Sequence, residues 1–132
     1  MKRKYLDEIG FKNRPDTYCK NDKERMAIWR QQRKEYGFDG REIWNLDVSF
    51  YCWLYERLKY FLDHVHIDLT YHIFEFEGKT YTQEEMIKNI IYIIEKYLFK
   101  KNVTKCIPLE EESNNLERAA RMWVEILPAM WT

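Results

Sequence analysis

The densest run of chemistry-bearing residues is Asp63-His-Val-His-Ile-Asp68, with His72 just beyond. In an extended chain, alternate side chains point the same way. His64, His66 and Asp68 would then form a set of two imidazoles and one carboxylate, which can hold zinc or ferrous iron. The competing reading is a polar helix end turning into a loop. No HExxH or comparable spacing backs the cluster, so a metal-dependent enzyme is an alternative only, and no metal ligand, catalytic residue or cofactor is assigned. Cys19, Cys52 and Cys106 are far apart, with no CxxC, which fits neither a disulfide framework nor a zinc knuckle. The chain has only four glycines, and none falls in a phosphate-binding frame.

A second group pairs arginine with tryptophan: Trp29-Arg30, Arg41 with Trp44, and Arg121 with Trp123. Aromatic faces stack bases and guanidinium forks grip phosphates. The same pairs can cover core edges, with arginine stems lying on rings, or anchor a protein interface. Asp47 falls in the apolar stripe of its helix, and Arg33 interrupts the stripe of the preceding one. A buried Arg33–Asp47 ion pair is expected, with Arg30 and Arg57 as the next partners. In a pocket, Asp47 would instead position an arginine or accept a hydrogen bond from a base or ribose. The candidate ligand-binding residues are therefore Arg33, Arg41, Trp44, Asp47, Arg121 and Trp123.

These residues must be positioned by one domain, since 132 residues is a single-domain length. Aromatics make up 17% of the chain, which argues against disorder despite its polar average. Lysine plus arginine and aspartate plus glutamate are 22 each, removing the basic surplus that long nucleic acids require. No run reaches the roughly 18 apolar residues of a membrane span. No apolar leader follows Lys2-Arg-Lys4, so the expected compartment is the cytoplasm.

Residues 1–20 read as a loosely ordered arm. A first helix is expected from Asp22 to Tyr36, closed by Gly37 in a left-handed cap with Phe38 making an apolar contact. Asp39-Gly-Arg-Glu42 fits a capping box opening a long helix. At about 100° per residue, Ile43, Phe50, Leu54, Leu58, Phe61 and Val65 share its apolar side. Asn45, Ser49, Cys52, Glu56, Lys59 and Asp63 share the polar side. Ile73–Thr82 alternates around Glu77-Gly78 and predicts a β-hairpin with Phe74 opposite Tyr81. Thr82-Gln-Glu-Glu85 is a second capping box, opening a helix over Met86–Lys100 with Met86, Ile90, Ile93, Ile94 and Tyr97 inward. Asn102–Asn115, with Glu110–Glu112, reads as a solvated linker. A last helix over Leu116–Leu127 would present Leu116, Ala120, Trp123 and Leu127 before Pro128 ends it. Trp131 is expected to dock on the core or on a second copy.

Gly37, Phe38, Arg41, Trp44, Leu46 and Asp47 together resemble a G-[FY]-x-x-R-x-W-x-L-D motif of small bacteriophage and prophage proteins, with one residue more between Arg41 and Trp44 than the motif has. Thr82–Glu85 and the Trp123, Leu127, Pro128, Trp131 series continue the likeness more loosely. The resemblance implies a phage origin, in the host cytoplasm, and a compact helical fold, but no activity. The residues 64–80 depart from it, with a hairpin in place of a short loop.

The sequence therefore predicts an α+β fold, mostly helical, with three or four helices and one small hairpin around residues 73–82. A homo-oligomer is expected from the neutral charge and the aromatic content. The expected function is non-enzymatic: a phage accessory protein antagonising host defence by sequestering a small anionic nucleotide. The alternative is an inhibitor or adaptor binding a host protein through an aromatic patch.

Overall fold

The computed structural model describes residues 22–44 and 46–130. The expected N-terminal arm and the docking of Trp131 fall outside the described residues. The fold is mostly helical α+β with one small antiparallel hairpin. The chain divides into two compact units, the first ending at Glu56 and the second beginning at Arg57.

In the first unit, α1 spans Asp22–Tyr36. It ends as its glycine dictates: Gly37 adopts φ +82° and its N–H donates to the Arg33 carbonyl at 3.0 Å. A left-handed φ here costs glycine nothing, whereas any side chain would strain it. Phe38 stacks on Tyr36 with ring centroids 6.0 Å apart. Asp39 opens α2, Gly40–Trp44, and its N–H donates to Glu42 Oε2 at 2.9 Å. That is one arm of the capping box expected at this point. Gly40 N–H donates to Gln32 Oε1 at 2.8 Å, tying α2 back to α1.

A separate helix, α3, spans Leu46–His64 and carries the chain into the second unit. The single long helix expected from Asp39 is thus two helices, and this corrects the predicted faces. Of the expected apolar row, Leu54 and Leu58 are buried, whereas Phe50, Phe61 and Val65 are half-buried. Ile43 is exposed, while Ser49, Tyr51, Cys52, Leu54, Tyr55 and Leu58 are buried. Ser49 and Cys52, assigned to the polar side, lie inside. Asp47 is also corrected: it is exposed in the first turn of α3, not buried in a stripe. A carboxylate belongs there because the helix N-terminus carries partial positive charge.

The second unit follows its sequence pattern more closely. Strands β1, Ile73–Phe76, and β2, Lys79–Thr82, pair antiparallel with Phe74 opposite Tyr81. The two-residue turn Glu77-Gly78 has φ 51° and 76°, the left-handed pair whose twist suits a tight hairpin. Thr82 then caps α4, Gln83–Tyr97, through a complete capping box with Glu85. Its next N–H groups are also met, Gln83 N–H by the His72 carbonyl and Glu84 N–H by that of Leu69. The inward residues Met86, Ile90, Ile93, Ile94 and Tyr97 are all buried, and Ile87 joins them. Each such aliphatic residue contributes about 1.5–3 kcal/mol relative to exposure.

Helix α5 spans Leu109–Ile126 and packs along α4. It begins two turns earlier than expected. Pro108 precedes it, and Glu110, Glu111 and Glu112 form its first turn. They are therefore not a linker but acidic residues at the helix end that favours them. Its core face is also shifted from the predicted one: Ala119, Met122 and Ile126 are buried, while Leu127 is exposed. The segment Leu127–Ala129 tightens into a 3-10 turn containing Pro128. Gln83 Nε2, fully buried, donates to the Ala129 carbonyl at 3.2 Å and fixes that turn.

Candidate groove between the hairpin and helix α5

The hairpin packs on both helices of the second unit, β2 on α4 and β1 on α5. This brings Phe76, the last residue of β1, against the outer side of α5. An open groove of about 430 Å³ lies there, lined by Phe76, Glu117, Ala120, Arg121, Val124 and Glu125. Phe76 is buried at its base. Two guanidinium groups lie near its ring, with Arg118 Cζ 5.5 Å and Arg121 Cζ 5.6 Å from the centroid. Cations at that range are attracted to the aromatic quadrupole.

The two arginines are not equivalent. Arg118 is half-buried and its Nε donates to Glu77 Oε1 in the hairpin turn. Arg121 is exposed and makes no ion pair among the described residues. Glu117 and Glu125, one turn to either side of it, are likewise exposed and unpaired among the described residues. The apolar part of the groove continues beyond its edge, since Val124 is 66% exposed and Leu127 is 49% exposed.

Of the residues predicted to bind a ligand, Arg121 lines this groove. Trp123 is half-buried on the same helix and does not line it. The other four belong to the first unit. Arg33 makes an ion pair there, but with Asp39 and not with Asp47: Nη1 to Oδ2 is 2.9 Å, and the Asp39 side chain is 1% exposed. The buried carboxylate that meets arginine is thus the helix-start aspartate, eight positions before the one expected. The side chains of Arg41 and Trp44 lie outside the described residues. Sequence reasoning missed Phe76, Glu117, Val124 and Glu125. Val124 carried a signal, an apolar residue four after Ala120 on a face otherwise charged. Phe76 carried none, because only the packing of hairpin on helix makes it part of a site.

The His64, His66 and Asp68 set does not form a metal cage. The His64 ring stacks on Tyr60 with centroids 3.7 Å apart, and its Nδ1 donates to the Tyr60 carbonyl at 2.9 Å. Asp68 Oδ1 accepts from Thr70, both from its N–H at 2.9 Å and from its hydroxyl. The hydroxyl first, then the N–H, hold the Asp68 carboxyl below the usual carboxylate range. Among the described residues, no three His, Cys, Asp or Glu side chains come together as a metal site. No helix among them is long and apolar enough to cross a membrane.

No known protein family, no curated protein and no solved structure matches this chain.

Proposed function

We propose that the chain is a non-enzymatic binding protein that engages another protein through the face formed by α5 and the hairpin. One observation carries this reading: Val124 is exposed on α5 in a groove based on Phe76 and Ala120, and Leu127, in the 3-10 turn that follows the helix, is exposed as well. That helix already buries Ala119, Met122 and Ile126 against the core, so folding does not require a second apolar row. Contiguous apolar surface rimmed by charged groups marks interaction sites.

Sequestration of a small anionic nucleotide is the second reading, favoured by the two guanidinium groups near Phe76. It has less support from the groove itself. Arg118 is committed to Glu77, and Arg121 is flanked by two carboxylates that would repel a phosphate.

Native mass spectrometry of the protein purified from cells carrying a nucleotide-signalling defence separates the two readings. A clean protomer mass with a co-purifying protein, lost in Val124→Asp, is expected. A retained small ligand, lost in Arg121→Ala and kept in Val124→Asp, would overturn the protein-binding reading in favour of the nucleotide.

A further inference from the structure

We infer that the groove between Phe76 and α5 selects a protein segment presenting two basic side chains that flank an apolar one. This deepens the protein-binding reading and rests on it. Glu117 and Glu125 stand at the two ends of the groove, with Ala120, Arg121 and Val124 between them. Eight residues of helix separate them by about 12 Å. Glutamate and arginine four apart on a helix ordinarily pair. Here the Arg121 guanidinium lies 5.6 Å from the Phe76 ring centroid and makes no ion pair among the described residues. Both glutamates therefore reach the groove unpaired among the described residues, in one row with Arg121 along α5 and beside the apolar pair Ala120 and Val124.

Charge selects among the occupants. The lining carries two carboxylates against one guanidinium. A second copy of this chain would bring the same negative excess to its own groove, and like charges across an interface oppose association. A small anion would meet both carboxylates. A segment with lysine or arginine about 12 Å apart, and a leucine-sized or aromatic residue between them, satisfies both glutamates. It also covers Val124. Such a spacing is met by residues about two turns apart on a helix or about four apart in an extended strand.

The test is selection from a surface-displayed library of random peptides, on the order of 16 residues long, against the full chain, with Val124→Asp as counter-selection. The expected result is enrichment of two basic positions around an apolar one. Affinity for the enriched peptides should fall on the order of tenfold or more in Glu117→Lys/Glu125→Lys, and should weaken with salt, since exposed charges are screened. The same double variant should select acidic peptides in their place, while Glu110→Lys, at the far end of the helix, changes nothing. Circular dichroism establishes that each variant is folded. Peptides that depend on Val124 but ignore the charge reversal would overturn this inference and leave the protein-binding reading standing. No Val124-dependent peptide, together with a dimer broken by Val124→Asp, would place a second copy on the face and overturn both.

Discussion

Two arginine–carboxylate contacts, one in each unit, use the same groups to different ends. In the first unit Arg33 meets Asp39, whose side chain is 1% exposed. In the second Arg118 meets Glu77, whose side chain is 44% exposed. Asp39 is locked at a helix start, where its own N–H is held by Glu42 and the neighbouring Gly40 N–H by Gln32. Glu77 sits on an open hairpin turn, and Arg118 also lies near the ring of Phe76. Water can replace either partner of the second contact but not the aspartate of the first. The depth of the anion decides whether such a pair is a staple of the fold or part of a surface that a partner can reach.

The sharpest way to break this comparison is to remove each anion's role in turn. Asp39→Ala leaves the Arg33 guanidinium facing a desolvated gap. It should cost about 3 kcal/mol, the lower end of the range for a broken buried pair, because Arg33 itself is 27% exposed. Urea denaturation measures this directly. A loss under about 1 kcal/mol would put Asp39 in the same class as Glu77 and dissolve the distinction.

Much of the second unit was legible because its signals are local. Thr82 and Glu85 are three apart, Glu77-Gly78 encodes its own turn, and the inward row of α4 keeps one phase from Met86 to Tyr97. Much of the first unit was not, because one unmarked break shifts the face of the helix that follows it, although Leu54 lies inside as expected. The junction between α2 and α3 resets the helix phase, so Asp47 moved from core to helix start and Cys52 from surface to core. Tyr55 is 1% exposed while Ile43 is 54% exposed, since a tyrosine's polar tip disguises its large apolar body. In α5 the acidic run read as solvated linker until its place in a first turn gave it an electrostatic reason. Of the groove, only Arg121 was legible; its base, Phe76, comes from a strand 45 positions away in the chain.

A smaller effect sharpens the local side of the comparison. Thr82 Oγ1 accepts from Glu85 N–H at 3.2 Å while Glu85 Oε1 accepts from Thr82 N–H at 2.9 Å. Thr82→Ala should cost about 1 kcal/mol. The Thr82 N–H first, then its hydroxyl, hold the Glu85 carboxyl below the ordinary glutamate value of 4.5. A carboxyl with a lowered folded pKa adds stability that is complete above the unfolded value and is lost as pH falls through the folded one. The parent's urea midpoint should therefore fall on acidification below 4.5, and Glu85→Gln should flatten that limb. An unchanged acid limb in Glu85→Gln would show that the capping box contributes no linkage.

Arg118→Ala tests the open pair of the comparison and should cost no more than about 1 kcal/mol, as exposed ion pairs do. A loss comparable to that of Asp39→Ala would mean that Arg118 supports the core through Phe76, and the groove would then be a structural seam rather than a surface.

The smallest expected change in stability is the most informative for function. Val124 is 66% exposed, so Val124→Asp removes little buried area and should change the unfolding free energy by no more than about 0.5 kcal/mol, as most surface substitutions do. Its helix already carries Ala119, Met122 and Ile126 inward, and none of these is touched. A negative charge placed among Glu117, Glu125 and the Phe76 base should nevertheless abolish capture of a protein partner, because it puts an unpaired charge in the apolar centre of the contact. Stability kept and capture lost would separate the groove from the fold, as Asp39 and Glu77 are separated. Stability lost by several kcal/mol would mean that Val124 is covered by this chain itself, leaving no open face for a partner.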